Sequence, residues 1–369
     1  MRGQASVPAQ DLPSGRRLFW ADLVRVYAMA GVVLLHTVAM PNTQFGQVPM
    51  DLWWRTNIYT ALVCTAIPLF VMLSGGLLLT QEHWDPLGFA RRRLAKVLLP
   101  LPVWTLIYAG CRKYFWNQDV SMGDVLRSFV TGISDPVFPH LWFMYLILSL
   151  YLIVPVLRIF FLHSSLAGQL YFAALWIVAS ALKPVVERAC GIELGYYLSP
   201  FFGFIGYFLL GATIFRHAPA RAGRTALAAC WAAVAVGYVV TLLGTYRLSS
   251  AAGRLDRYFY LDFSVTSIPM SVATFVLLRH FGSVLGERAR DYPRLTSAVT
   301  TLSALSFGIY LAHALVIVLL ESGKLGFTLT TTTFEPLLAA PVMAAIVFAV
   351  SAAATFLVRR TPALRWLAP

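Results

Sequence analysis

Charged side chains are scarce in this sequence. Of its 369 residues, only 12% are Asp, Glu, Lys or Arg, against roughly 25% in a typical soluble domain. Acidic residues are the scarcest, with 16 Asp and Glu against 29 Lys and Arg. This deficit argues against a soluble globular protein, whose surface needs charge.

Cysteines are few as well, and Cys64, Cys111, Cys190 and Cys230 form no CxxC motif. Their spacing predicts no metal site. A disulfide between Cys111 and Cys190 is possible if both face the outer side, although scattered cysteines are more often small buried hydrophobic residues. The sequence also lacks internal repeats, low-complexity tracts and domain-length linkers, so one domain with short tails is expected.

Long apolar segments are what the sequence has instead. Hydrophobic residues make up 59% of the chain, in blocks of about 20 residues that can cross a hydrocarbon core about 30 Å thick. They predict an all-α, polytopic membrane helix bundle within residues 19–358, between tails at 1–18 and 359–369. About ten transmembrane helices are expected, at 19–40, 56–80, 94–111, 141–162, 167–182, 198–215, 225–246, 261–280, 298–320 and 336–358.

Basic residues lie at the ends of these blocks. This placement predicts topology signals and no nucleic-acid surface, despite the net charge of +13. With the N-terminus inside, 18 Lys and Arg residues fall in inner segments and 10 in outer ones. The bias favours two cytoplasmic tails. Arg16 and Arg17 lead directly into the first span, which is typical of an uncleaved signal anchor.

Two polar residues lie inside the first span. Arg25 and His36 are 11 positions apart, which places them on one helix face, about 16 Å apart along the axis. Titratable groups within a span are costly, so both are candidates for function. Structural roles remain open, because Arg25 can reach the interface or pair with Asp22. His36 can likewise hydrogen-bond a neighbouring helix.

A second intramembrane histidine follows in the ninth span, in the segment Ser306 to His313. If that span runs from inside to outside, His313 lies at about the depth of His36. With Tyr310, the two histidines would line a polar cavity, or they would form a purely structural polar network.

Basic side chains cluster on the predicted inner side, after the second span. Arg91, Arg92, Arg93 and Lys96 can hold the phosphates of a nucleotide-bearing donor. The positive-inside rule would place cations there in any case. Nearby, Ser74 belongs to a run of small residues that is typical of close helix packing.

Aromatic residues open the fourth span on the predicted outer side. His140, Trp142 and Tyr145 lie in this segment. Trp and Tyr at a membrane boundary usually belong to the interfacial belt, but beside a polar cleft they also stack on sugar rings.

Taken in order, these elements resemble the acyltransferase family 3 of integral membrane proteins. The resemblance covers roughly residues 19–355. The first matching element is an Arg followed, after ten residues, by a His, which are Arg25 and His36 here. Four further elements match in the same order along the chain: Phe70–Gly75, Arg91–Arg93 through Pro100, Leu141–Tyr145 with Tyr151 and Pro155, and Tyr310–His313.

The resemblance implies an acyl-CoA donor, most often acetyl-CoA, used as a substrate and not as a bound cofactor. The acceptor would be a sugar hydroxyl of a bacterial surface polysaccharide or of a lipid-linked oligosaccharide, at the cytoplasmic (inner) membrane. The expected catalytic residues are His36 and Arg25. Donor binding is expected at Arg91, Arg92, Arg93 and Ser74, and acceptor binding at His140, Trp142, Tyr145, Tyr310 and His313.

The chain departs from the family pattern at two places. Members fused to an extracytoplasmic esterase-like domain often carry a Val-Glu-Glu-Gln-like stretch after the Trp, where this chain has Phe143 to Leu146. Since it also ends soon after the tenth span, it looks like the standalone branch of surface-sugar O-acetyltransferases. In addition, Gly76 replaces the Phe that follows Ser-Gly in the family.

Two mechanisms and a second function class are compatible with these residues. His36 can act as the general base for the acceptor hydroxyl, or its imidazole can carry the acyl group. The alternative function is a proton-coupled transporter or flippase of a glycan or lipid, in which Arg25, His36 and His313 form a relay. The absence of an internal repeat weighs slightly against it.

Overall fold

Helices form all the regular secondary structure in the part of the chain that the computed structural model describes, namely residues 17–81, 84–132, 134–192, 194 and 199–369. Most of the predicted tail at 1–18 lies outside the described residues. The helices are α1 (Phe19–Thr43), α2 (Met50–Val63), α3 (Ala66–Leu79), α4 (Pro86–Leu98), α5 (Pro100–Trp116), α6 (Met122–Thr131), α7 (Trp142–His163), α8 (Leu166–Ile177), α9 (Lys183–Cys190), α10 (Ser199–His217), α11 (Arg224–Ala252), α12 (Ser267–Arg288), α13 (Pro293–Glu321) and α14 (Pro336–Arg360).

Nine helical segments of the described chain are long and apolar enough to cross a membrane. Apolar side chains also cover outward faces: Leu152, Val156 and Ile159 of α7 are 64%, 63% and 64% exposed. An apolar outer stripe of this kind is what lipid contact requires. The protein is therefore a multi-pass membrane helix bundle, as predicted.

The predicted span 198–215 is not among the nine. Residues 195–198 lie outside the described part, and α10 has a non-helical backbone conformation at Gly203. α10 nevertheless lies in the bundle interior, because Tyr207, Phe208 and Ala212 are fully buried.

Several boundaries differ from the sequence prediction by a few residues, and two of the changed starts have a local cause. Residues 86–93, expected in a loop, begin α4, because Asp85 accepts a hydrogen bond from the Gly88 amide and Pro86 occupies the first turn. The span predicted to begin at residue 261 begins instead at Ser267, where the hydroxyl of Ser264 accepts a hydrogen bond from the Ser267 amide. Local polar caps, which hydropathy does not register, set both starts.

Helix α1 lies at the centre of the bundle. It packs against α2, α3, α12, α13 and α14, and its residues Val24, Ala28, Met29 and Val33 are fully buried. The buried polar side chains Asp22, Thr37 and Asn42 of α1 therefore face other parts of the protein.

Small residues allow α3 and α10 to cross at close range. A Cβ on Gly75 would lie 1.8 Å from the carbonyl oxygen of Phe208, and one on Gly211 would lie 2.1 Å from that of Met72. The run of small residues around Ser74 therefore has the packing role that its composition indicated.

Two buried arginines cap the helices of this pair. Arg158 donates to the carbonyl oxygen of Leu79 at 2.8 Å, at the end of α3. Arg279 donates to the carbonyl oxygens of Ile214 and Phe215 at 2.7 and 3.1 Å, near the end of α10. Both guanidinium groups thus neutralise helix C-termini, which carry partial negative charge.

The cysteine positions show no disulfide. Cys111 is buried and Cys190 is exposed, and both are free thiols.

We expect Gly75→Ala to destabilise the protein, since the added methyl group meets backbone atoms that cannot move aside. Overpacking of this kind costs about 1–3 kcal/mol, and it should lower the midpoint of thermal unfolding in detergent. Gly110→Ala is the matched control, because Gly110 is also helical and has no atom within 4 Å of the added Cβ. Equal midpoints for the two variants would contradict the close crossing.

Candidate active site

Two histidines meet where α1 packs against α13. The rings of His36 and His313 lie 4.9 Å apart, centroid to centroid. The depth argument from the sequence is therefore correct for this pair. His313 is fully buried, whereas His36 is partly exposed towards a cavity.

His140 joins them as a third imidazole. It lies in a 3₁₀ turn (Pro139–Leu141) before α7, and its ring centroid is 6.3 Å from that of His36 and 5.1 Å from that of His313. The sequence indicated that His140 opens the fourth span beside Trp142. It did not indicate the contact with the other two histidines, because a turn before a helix has no periodicity from which a direction can be predicted.

Two tyrosines hold this histidine cluster in place. The hydroxyl of Tyr310 donates to the backbone carbonyl oxygen of His140 at 2.5 Å. The hydroxyl of Tyr108 donates to the carbonyl oxygen of Leu311 at 2.6 Å and accepts from the amide of Leu315 at 3.2 Å. Tyr108 therefore ties α5 to the turn of α13 that carries His313, a role that the sequence did not indicate.

The hydrogen bonds of the imidazoles fix two of the three tautomers. His36 Nδ1 lies 2.9 Å from the Val32 carbonyl oxygen, and His313 Nδ1 lies 2.6 Å from the Tyr310 carbonyl oxygen. Because a carbonyl oxygen can only accept, Nδ1 carries the hydrogen on both rings and Nε2 carries the lone pair. Although three imidazoles meet, no group of His, Cys, Asp or Glu in the described chain is arranged to hold a metal ion.

A cavity runs from the histidines towards the N-terminal part of α1. His36 and His140 line it at one end, and three cations line it elsewhere: Arg25, Arg93 and Lys96. The remaining wall is mainly aromatic and aliphatic, with a few hydroxyl groups. It includes Ile67, Phe70, Ser74, Trp142, Phe143, Tyr151, Ser306, Phe307 and Tyr310.

This arrangement combines basic imidazole nitrogens, fixed cations and a partly open cavity between helices. A family model described as an acyltransferase domain matches residues 18–356, which include every helix that lines the cavity. The chain belongs to the acyltransferase family 3. Comparison with curated proteins gave no match, and comparison with solved structures gave none either.

Most of the residues predicted for this membrane acyltransferase line the cavity. They are Arg25, His36, Ser74, Arg93, His140, Trp142 and Tyr310. His313 lies directly behind His36 and His140, in ring contact with both.

Besides His313, three predicted residues do not line the cavity. Arg91 is exposed, and Arg92 lies on the surface, where its Nη2 atom is 3.8 Å from Asp85. Both point away because residues 91–93 belong to α4, so that consecutive side chains diverge by about 100°. Tyr145 is buried elsewhere, against Gly132.

Lys96, which the sequence grouped with the three arginines as a cation able to hold phosphates, also lines the cavity. Lys96 is three residues beyond Arg93 and shares its helix face, a signal that the helical spacing of α4 contains. Pro369 also lines the cavity, next to a 3₁₀ turn whose Leu367 carbonyl oxygen accepts from Trp104 Nε1 at 3.0 Å. No sequence pattern indicated this return of the predicted C-terminal tail.

Arg25 of this acyltransferase is paired as well as exposed to the cavity. Its Nη1 donates to Asp22 Oδ1 at 3.2 Å and to the Ser303 hydroxyl at 3.3 Å. The Ser303 hydroxyl donates to the same Asp22 oxygen at 2.6 Å, and Arg17 Nε donates to the other oxygen at 2.8 Å. The buried Asp22 carboxylate thus joins α1, α13 and two cations.

We expect Asp22→Asn to destabilise the fold, because it leaves two guanidinium groups without a counter-charge. Removing one partner of a fully buried pair costs about 3–5 kcal/mol. Here we expect about 1–3 kcal/mol, since Arg17 and Arg25 are 52% and 33% exposed. Thermal unfolding in detergent measures it. Asp85→Asn is the control, because that exposed pair is solvated and Asn also caps a helix. Equal losses in both variants would contradict the role of Asp22.

Proposed function

We propose that this protein transfers an acyl group, most often acetyl, from acyl-CoA to a sugar hydroxyl. The acceptor would be a bacterial surface polysaccharide, such as an exopolysaccharide or lipopolysaccharide, or its lipid-linked precursor. We place the protein in the cytoplasmic membrane with both termini inside, in the standalone branch of surface-sugar O-acetyltransferases. The donor then enters from the cytoplasm and the acceptor from the opposite side.

One observation carries the proposal: a single cavity joins the cations Arg25, Arg93 and Lys96 to the imidazole of His36. Arg25 and His36 are 11 positions apart on α1, which is about 16 Å along the axis. The pantetheine arm of coenzyme A, which separates its diphosphate from its thioester, is a chain of comparable length. Phosphates held by the cations would therefore bring the thioester near His36.

The walls of the cavity suit both substrates. Phe70, Phe143 and Phe307 give the middle an apolar surface, along which a pantetheine arm can lie. Trp142 lines the cavity beside His140, and an indole ring there can stack on a sugar. Nine hydroxyl, imidazole and cationic side chains in the same wall offer polar contacts.

The chemistry follows from the tautomer of His36. Nδ1 carries the hydrogen that it donates to Val32, so Nε2 is the basic atom. It takes the proton of the acceptor hydroxyl while the oxygen attacks the thioester carbon. When the carbon–sulfur bond breaks, the proton can pass from Nε2 to the departing sulfur. Asp22 and Ser303 orient Arg25 towards the donor phosphates.

His36→Ala should abolish acyl transfer, because it removes the base. Purified protein in liposomes, given radiolabelled acetyl-CoA and surface glycan, reports label in the glycan. His163→Ala is a matched control, since His163 also bonds the carbonyl of the fourth preceding residue at 2.9 Å but is exposed at the end of α7.

Unchanged labelling by folded His36→Ala would contradict the assignment of His36. Glycan movement across the membrane without any acyl-CoA, and without label transfer, would instead favour a transporter.

Arg93→Ala and Lys96→Ala should each raise KM for acyl-CoA, with a smaller effect on kcat. A hydrogen bond to a charged group contributes about 1.5–3 kcal/mol, so increases of about tenfold or more are expected. Arg91→Ala should leave KM within about twofold, because Arg91 is an exposed cation of the same helix that does not line the cavity. Equal effects at Arg91 and Arg93 would mean that the charge of α4 acts as a whole and the cavity does not hold the phosphates.

A further inference from the structure

The histidine cluster contains two imidazoles that cannot donate at Nε2 and one that can donate from either nitrogen. His36 and His313 each use their hydrogen at Nδ1 for a backbone carbonyl oxygen. His140 is 2% exposed, yet neither of its ring nitrogens has a partner within hydrogen-bond distance. The backbone carbonyl oxygen of Leu311 interacts with this imidazole, but it already accepts from the Tyr108 hydroxyl at 2.6 Å. A buried polar group without a partner costs free energy and calls for an explanation.

Neighbouring hydroxyl groups do not supply a second free donor. The hydroxyls of Tyr310 and Tyr108 donate to the carbonyl oxygens of His140 and Leu311. The hydroxyl of Ser306, which lines the cavity, donates to the Ser303 carbonyl oxygen at 2.9 Å. Among these side chains, the uncommitted N–H therefore belongs to His140.

Acyl transfer needs such a donor. Negative charge develops on the carbonyl oxygen as the hydroxyl attacks the thioester, and a fixed donor in a site of low dielectric constant stabilises it. His36 cannot fill this role, because its free nitrogen must accept the hydroxyl proton. His140 lines the same cavity, with its ring centroid 6.3 Å from that of His36. At this separation one reacting group can lie near both rings.

We propose that His140 is a second catalytic residue, whose N–H binds the thioester carbonyl oxygen while His36 takes the hydroxyl proton. This assignment rests on the proposed acyl-CoA-dependent transfer. The O–H bond breaks to His36, the new C–O bond forms, and the charge on the carbonyl oxygen is held by His140. The carbonyl then reforms, the C–S bond breaks, and His36 returns its proton to the sulfur. His140 remains neutral throughout, a state in which an imidazole can still act as an electrophile.

The position of His140 is fixed before any substrate binds. The Tyr310 hydroxyl holds its carbonyl oxygen, and the Tyr108 ring contacts its own ring at 4.7 Å. His313 lies behind it at 5.1 Å. Both ring nitrogens are buried, so rotation of the imidazole within this fixed setting must bring its N–H to the substrate oxygen. A donor positioned in this way loses little free energy to reorganisation during the reaction.

Two substitutions of His140 test the proposal. His140→Phe keeps a ring but removes the donor, and should lower kcat about 10²- to 10³-fold, the usual cost of losing one such donor. His140→Gln keeps an N–H donor that cannot exchange protons near neutral pH, and should stay within about tenfold of the unsubstituted protein. KM for acetyl-CoA should change little in either, because the cations that hold the phosphates are intact. Thermal unfolding verifies folding, and His140→Met replaces His140→Phe if the latter does not fold.

Equal losses of kcat in His140→Gln and in the donor-free variant would overturn the proposal in favour of proton transfer through His140. Activity close to that of the unsubstituted protein in folded His140→Phe would overturn it in favour of a packing role. If the unsubstituted protein transfers no label from acetyl-CoA to any glycan, the proposed function fails first, and this outcome is distinct from both.

Discussion

Hydrocarbon offers no hydrogen-bond partners, so every polar side chain inside the bundle must find its partner within the protein. The buried arginines meet this constraint at helix ends, where Arg158 and Arg279 take carbonyl oxygens of α3 and α10. Asp22 meets it with two guanidinium groups and one hydroxyl. Against this background the histidine cluster is distinctive. Three of the eight buried, unpartnered side-chain atoms in the described chain belong to His140 and His313.

The part of the site that the sequence could predict is the part that regular helices carry. A spacing of 11 places Arg25 and His36 on one face of α1, and the ninth span brings His313 to the same depth, where the rings meet at 4.9 Å. Helix geometry was enough for these predictions. The turn that carries His140 has no such periodicity, and its direction is set by a hydroxyl of α13 that is distant in sequence.

The basic cluster shows a different limit. As a loop, residues 91–93 would offer three equivalent cations, but Asp85 and Pro86 begin α4 before them. A helix then selects among its side chains by face: Arg93 and Lys96 reach the cavity, while Arg91 does not. The hydropathy of the segment could not reveal which side chains face the cavity, since α4 is amphipathic.

The count of Lys and Arg residues that predicts the topology is affected by the structure too, because Arg158 and Arg279 have a structural reason for their positions. Without these two arginines, 16 Lys and Arg residues fall in the predicted inner segments and 10 in the outer ones, so the bias keeps its direction.

Arg25 illustrates why the structural and functional interpretations of an intramembrane cation are compatible. The pairing with Asp22 that the sequence left open is present, at 3.2 Å. A guanidinium group has five N–H donors, and the bonds to Asp22 and Ser303 both come from Nη1. Arg25 also lines the cavity, so the pairing fixes the direction of the group without consuming all its donors. A buried carboxylate that holds an arginine at the wall of a cavity lowers the entropic cost of using it, because the side chain is ordered before a ligand arrives.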